Sequence, residues 1–167
     1  TEHVAMATES CRRLNTLLSD ILDLSRIEAG KLSISNDSFT LDSVLVSVEN
    51  IFSLQAREKG LKLTIRCEAD NRQPLVGDAQ RLRQILFNLV GNAVKFTPSG
   101  HVELRVLPMP DHELHKQCLD FVVEDSGIGM SPEIVSSMFE PFTQAEHCFS
   151  RNYQGAGLGL TIVKRLV

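Results

Sequence analysis

Asn88, Asn92 and Lys95 have the most chemistry to offer in this chain. Between Gln80 and Thr97 they recur with Arg81 and Gln84 at helical spacing, as one polar stripe. Neutral amide oxygens with a lysine one turn on suit a hydrated magnesium ion and the phosphates it carries, because magnesium keeps several waters and takes few protein oxygens. A helix side that merely faces water fits the same residues. A second group is Glu124-Asp125-Ser126-Gly127-Ile128-Gly129-Met130, which follows an apolar run. A carboxylate at a strand end can accept hydrogen bonds from a base amino group, and Gly127 and Gly129 let a ligand come close to the backbone. A plain Asp-Ser-Gly turn between elements reads equally well. The third group is Gly155-Ala156-Gly157-Leu158-Gly159, ahead of an apolar-periodic segment. Backbone N–H groups at a helix start favour an anion. The spacing is not that of a dinucleotide fold, since Leu160 takes the third glycine's place, and it lacks the Gly-Lys-Ser/Thr of a P-loop. Arg151, near the end of the polar stretch 140–154, could close over phosphates as part of a lid.

These residues need elements to hold them. Leu82, Ile85, Leu86, Leu89 and Ala93 give the Gln80–Thr97 stretch an apolar face, with Asp78 as N-cap and Pro98 at the far end. At about 100° per residue the asparagines lie roughly a quarter turn from that face, at the margin of a core. Residues 3–29 read as one long helix. Val4, Cys11 and Leu18 recur every seven residues, as do Ala7, Leu14 and Ile21, while Leu17 and Leu24 widen the stripe. Such a seam needs a partner helix or chain, unless the helix packs on its own domain. Gly30 stops it. The spacing then predicts extended chain from Leu32 to Phe39, and a helix from Leu41 to Lys59 with Leu45, Val48, Ile51, Phe52 and Ala56 inward and Gly60 at its end. A half-buried strand follows over 61–67, a turn over 71–74 and a short strand at Leu75-Val76. Beyond the Gln80–Thr97 helix come a strand over 101–107, a loop over 108–116, and a strand over 118–124 whose Phe121-Val122-Val123 run implies burial on both sides. Pro132 opens a short helix ending near Met138, and Leu160–Val167 is apolar-periodic. Together these predict an α/β sandwich, a mixed sheet covered by helices.

With 167 residues and 43% hydrophobic content, the chain makes one domain, or one domain with an appended element. A formal charge of −4 points away from nucleic acid. A polyphosphate would then need a metal ion and local donors. Cys11, Cys67, Cys118 and Cys148 stand far apart, which speaks against zinc and against a disulfide framework and fits a reducing cytosol. No apolar run is long enough to span a bilayer, and no signal peptide is visible. The chain starts without methionine and stops abruptly, as an excised fragment would.

Four stretches together resemble a known family. Asn88-Leu-Val-Gly-Asn92-Ala-Val-Lys95-Phe-Thr97, Asp125-Ser-Gly-Ile-Gly129-Met, Met138-Phe139-Glu-Pro-Phe142-Thr-Gln-Ala145 and Gly155-Ala-Gly-Leu-Gly-Leu160 resemble the N, G1, F and G2 boxes of sensor histidine kinases, in order and in spacing. Asp20 to Lys31 is similar to the end of the second dimerisation helix, especially of hybrid-type kinases. The resemblance implies residues 1–30 as that helix and residues 31–167 as a GHKL ATP-binding domain of Bergerat type. It implies Mg-ATP as cofactor, with Asn92 holding magnesium, Asn88 beside it and Lys95 meeting phosphates. Asp125 would bind the adenine amino group, with Gly127 and Gly129 bordering the base. Phe96, Arg151 and Leu160 would complete the nucleotide site, Phe139 and Phe142 would anchor the lid, and Gly155, Gly157 and Gly159 would approach the phosphates. Related ATPases carry a glutamate base where Asn88 stands. An amide cannot activate water, so phosphoryl transfer to a protein fits better than hydrolysis. The implied partners are a phosphoacceptor helix of the same or a second kinase, a response regulator receiver domain, and a second copy through residues 3–29. The implied place is the cytosolic part of an inner-membrane sensor.

The chain departs from the family in three respects. The acceptor histidine, normally followed by an acidic residue with proline a few positions on, is not found here. His3 precedes valine, and His112-Glu113-Leu114-His115 lacks the proline and falls in a loop between strands. The family continues past the position of Val167 with strands that complete the sheet, so an open sheet edge is expected. Asn152, Gln154 and Ala156 stand where Lys, Gly and Thr are more usual. A second reading follows from the same facts: a regulatory kinase-like module that binds another histidine kinase through residues 3–29 and inhibits it.

Overall fold

A computed structural model describes residues 2–109, 118–143 and 157–167. Its contacts group the chain into two compact units, residues 34–131 and residues 1–33 with 132–167.

The unit 34–131 opens with strand β1 (Asp37–Thr40) and helix α2 (Leu41–Glu58), counting the helix before them as α1. Thr40 caps α2 by accepting from the Ser43 N–H at 3.4 Å, and Lys59 and Gly60, at φ +69°, close its far end onto Gln55 and Arg57. Strands β2 (Lys62–Cys67) and β3 (Pro74–Gly77), helix α3 (Ala79–Phe96), and strands β4 (His101–Met109) and β5 (Cys118–Asp125) follow. β1 and β3 form an antiparallel ribbon, while β4 lies between β2, parallel to it, and β5, antiparallel to it. The sheet is therefore mixed, as expected. Its register puts Leu104 between Ile65 and Val123. Because side chains alternate along a strand, Val102, Leu104 and Val106 face inward and are fully buried under Leu41, Val44, Val48 and Phe52 of α2 and Leu86 and Val90 of α3. Full burial of one such side chain is worth about 1.5–3 kcal/mol. The other face of β4 carries charge: Glu103 meets Arg66 at 3.1 Å, and Arg105 meets Glu124 at 3.1 Å. Both helices of this unit thus lie on one face of the sheet.

Four local expectations are corrected. Of the stretch 32–39, only Asp37 onward is strand. Ile51 is 45% exposed, because the buried arc of α2 runs through Val44, Leu45, Val48, Phe52 and Ala56 and leaves it to one side. β4 runs on through Pro108 to Met109, pairing with Leu119 and Cys118. β2 ends opposite Val106, so a proline without an N–H breaks no bond to β2 there. Phe121, Val122 and Val123 are half-buried: among the described residues β5 pairs only with β4, and of the three Phe121 and Val123 pack on the core.

In the other unit, α1 (Glu2–Glu28) ends as expected. Gly30 sits at φ +62°, with the Lys31 N–H on the Arg26 carbonyl at 2.8 Å. Helix α4 (Pro132–Ser137) is short, and helix α5 (Gly159–Leu166) packs Leu158, Ile162 and Leu166 around Leu24 of α1. The seam of α1 is otherwise open: Val4, Cys11, Leu14, Leu18 and Ile21 are exposed. No helix among the described residues is long and apolar enough to cross a membrane.

Candidate functional site

Helix α3 carries the polar stripe, and it is held at both ends. Asp78 accepts from the Arg81 N–H at 2.9 Å and, through its other oxygen, from the Ser35 N–H at 3.1 Å. Partial burial alone would raise the Asp78 carboxyl, but N–H groups of Arg81, Ser35 and Gln80 hold it below the usual carboxylate range. At the far end the Lys59 ammonium donates to the carbonyls of Val94 at 2.7 Å and Lys95 at 3.0 Å, two of the groups a helix leaves unpaired.

The buried arc of α3 differs from the expected one. Leu86, Val90, Ala93 and Val94 are fully buried, whereas Ile85 and Leu89 are half-buried. At about 100° per residue this places Asn88 and Asn92 nearly opposite the buried arc rather than at its margin. Both are nonetheless half-buried. Arg81 and Gln84 satisfy each other across 2.7 Å. Neither the Asn88 nor the Asn92 side chain bonds to another described residue, so their amide oxygens remain available as ligands. Lys95 lies 4.8 Å from the centre of the Phe96 ring, and burial lowers its ammonium from the ordinary 10.5.

The Asp125 loop is fastened to the end of this helix. Asp125 Oδ1 accepts from the Gly127 N–H at 2.8 Å and from the Thr97 hydroxyl at 3.5 Å, and Phe96 O accepts from the Ile128 N–H at 3.3 Å. Ser126 turns the other way. Its Oγ accepts from the His101 N–H at 2.8 Å, against Gly100, where a Cβ would strike it. The two glycines differ in what they do. A Cβ on Gly127 would stand 2.6 Å from Phe96 O and 2.7 Å from Asp125 Oδ1, so the space it leaves is already taken by α3. Gly129 has open space around it and is needed for its φ of +68°.

In the other unit, Phe139 O accepts from the buried Thr161 hydroxyl at 3.0 Å, and the Lys164 ammonium lies 5.5 Å from the Phe139 ring. Phe142, at φ +61° and 65% exposed, donates its N–H to Gly157 O at 3.1 Å. A Cβ on Gly157 would meet Thr143 O at 2.7 Å. The start of α5, with Gly159 and Leu160, has no side-chain cap, so its first N–H groups are free of that competition for an anion. Arg151, Gly155, His112 to His115 and most of the stretch 140–154 lie outside the described residues.

The structure thus gathers Asn88, Asn92, Lys95, Phe96, Asp125, Gly127 and Gly129 in one unit. Sequence reasoning missed what seats them: Lys59, Thr97 and Ser126 lie in or beside the stretches read from the sequence, but only the fold shows their partners. Among the described residues no group of three or more His, Cys, Asp or Glu could hold a metal. Two clefts of the same unit, of about 310 and 630 Å³, are lined by α2 with β2 and by the β1–β3 ribbon with β5, and neither includes these residues.

Comparisons place the chain among known proteins. The profile of the histidine kinase-, DNA gyrase B- and HSP90-like ATPases matches residues 77–167. The autoinducer 2 sensor kinase/phosphatase LuxQ of Vibrio parahaemolyticus is 43% identical over 95% of the chain, and the sensory/regulatory protein RpfC of Xanthomonas campestris is 45% identical over 95%. The chain spans 18% and 22% of those two proteins. The crystal structure of full-length ShkA in complex with AMPPNP superposes on 99% of the chain, and on 33% of its own length, with a TM-score of 0.79 and 34% identity.

Proposed function

The chain belongs to the family of histidine kinase-, DNA gyrase B- and HSP90-like ATPases, as a sensor histidine kinase catalytic domain, and we propose that it binds Mg-ATP and passes the γ-phosphate to a histidine on a separate helix. Its mixed sheet with helices on one face is the Bergerat-type sandwich of that family. In this reading residues 1–30 are a dimerisation helix and residues 31–167 the ATP-binding domain.

One observation carries the nucleotide site: an acceptor fixed at one end of α3 and uncommitted amide oxygens farther up the same helix. Thr97 touches Asp125. At about 1.5 Å of rise per residue, Asn92 lies about 7 Å and Asn88 about 13 Å back along the axis. That spacing suits a ligand with an amino-bearing base at one end and metal-bound phosphates at the other. Magnesium, when bound, neutralises phosphate charge and leaves the γ-phosphorus open to attack. Asn92 would hold it with Asn88 beside it, Lys95 would meet the phosphate oxygens and Asp125 would accept from the adenine amino group. Gly155, Gly157 and Gly159 offer backbone N–H groups to phosphate, and Arg151, Phe139 and Phe142 belong to the lid. The AMPPNP in the ShkA structure supports ATP as the nucleotide. A receiver domain is the downstream partner, a second copy pairs through residues 3–29, and the chain works on the cytosolic side of a membrane sensor.

Phosphate transfer decides between this reading and an inhibitory module. Incubated with γ-labelled ATP and an added acceptor helix bearing a histidine, the chain labels that histidine, and Asn92→Ala abolishes the label. A chain that takes up no nucleotide yet blocks a second histidine kinase is the inhibitory module instead.

A further inference from the structure

We infer that Thr97 is a positioning residue for base recognition: its buried hydroxyl turns the Asp125 carboxylate so that the free oxygen meets a purine 6-amino group. This rests on the nucleotide reading above and adds to it the residue that sets the base preference.

Thr97 is fully buried at the end of α3, and its N–H is taken by the Ala93 carbonyl at 3.1 Å. A buried hydroxyl needs an acceptor. Among the described residues the acceptor it faces is Asp125 Oδ1, at 3.5 Å, longer than the roughly 3 Å of a strong O–H···O bond, so this is a weak contact that a small turn of either side chain would tighten. That oxygen also receives the Gly127 N–H at 2.8 Å. Two donors on Oδ1, one from the helix end and one from the loop, fix the rotation of the carboxylate. A carboxylate offers two accepting oxygens, so Oδ2 stays available on an exposed residue. An amino group donates to it. A 6-oxo group would present lone pairs to lone pairs. Gly127 belongs to the same arrangement, because a Cβ there would stand 3.0 Å from Thr97 Oγ1 and 2.7 Å from Asp125 Oδ1 and drive the two apart.

The test compares Mg-ADP with the diphosphate of purine riboside, which lacks only the 6-amino group, by calorimetry on the 167-residue chain. The wild-type chain binds ADP at least about tenfold tighter than the analogue, as a site built to pair an N–H does. Thr97→Val weakens ADP about tenfold and changes the analogue less than about twofold, whereas Thr97→Ser keeps both near wild type. Should the valine variant fail to fold by circular dichroism, Thr97→Cys, a weak donor of similar size, carries the same expectation. Equal weakening of both nucleotides, or no weakening of either, overturns the role of Thr97. A wild-type chain that binds the two equally, with Asp125→Asn also unchanged, overturns the assignment of Asp125 and the role of Thr97 with it.

Discussion

An amide oxygen is a good metal ligand and no base at all, and that contrast shapes the residue-scale account. In the proposed site Asn88 stands where a hydrolase would need a carboxylate, so the chain should show little ATP turnover in the absence of an acceptor. Lys95 has the clearest pH signature. Burial disfavours its charged form, so its folded value lies below 10.5 and the unfolded chain binds more protons in the window between the two. The free protein therefore gains stability as pH rises through that window. A bound phosphate favours the ammonium, so nucleotide affinity falls over the same window, at lower pH than an ordinary lysine would give. Titrations in buffers of different ionisation enthalpy should show proton uptake on binding there, absent in Lys95→Met. The two loop glycines separate by mechanism. Gly127→Ala must push against Phe96 O and costs about 1–3 kcal/mol, while Gly129→Asn, a residue that tolerates positive φ, costs under about 1 kcal/mol. Urea denaturation of the two variants checks the difference.

At the scale of elements, α3 is the rod on which this unit's candidate residues are set, and its ends are fixed by groups far away in sequence. Asp78→Ala removes the N-cap and the tie to Ser35 together, and should cost about 1 kcal/mol. The carboxyl is held below the usual range, so the stability it contributes is present above about pH 3.8 and is lost as pH falls through its folded value. Asp78→Asn keeps an accepting oxygen and should flatten that acid limb in thermal melts. In the core, Leu86→Ala leaves a cavity between α3 and the sheet and should cost about 2–5 kcal/mol. The start of α3 was legible because Asp78 precedes a helical apolar pattern, and Gly30 and Gly60 marked the ends of α1 and α2 just as plainly. The exact buried arc was not. Leu82, Ile85, Val90 and Val94 are all apolar, and only the direction from which α2 and the sheet approach decides which of them is covered. Pro108 misled for a related reason: a proline stops a strand only where its missing N–H has a partner to lose.

For the whole molecule, the seam of α1 stays open among the described residues, as do the outer edges of β2 and β5. Val4, Cys11 and Leu18 recur every seven residues, as do Leu14 and Ile21, and all five stay exposed, which is how a helix waiting for another helix looks. Sedimentation should show concentration-dependent self-association, and Leu14→Glu with Leu18→Glu should abolish it while leaving nucleotide affinity within about twofold, since neither residue belongs to the site. The mixed sheet covered by helices was legible from helical and alternating periodicity along the chain, and four short stretches pointed to the candidate residues because each couples an unusual residue to an element boundary. Their seating was not readable, since Lys59, Thr97 and Ser126 gain their meaning from partners 25 to 36 positions away. The central claim, that a nucleotide and its magnesium lie along α3 with the base at Asp125, is tested most directly by calorimetric titration of the chain with Mg-ADP. The account predicts one site per chain, lost when magnesium is chelated and lost in both Asn92→Ala and Asp125→Ala variants that keep the wild-type circular dichroism. Binding that survives either substitution in a folded chain would contradict it.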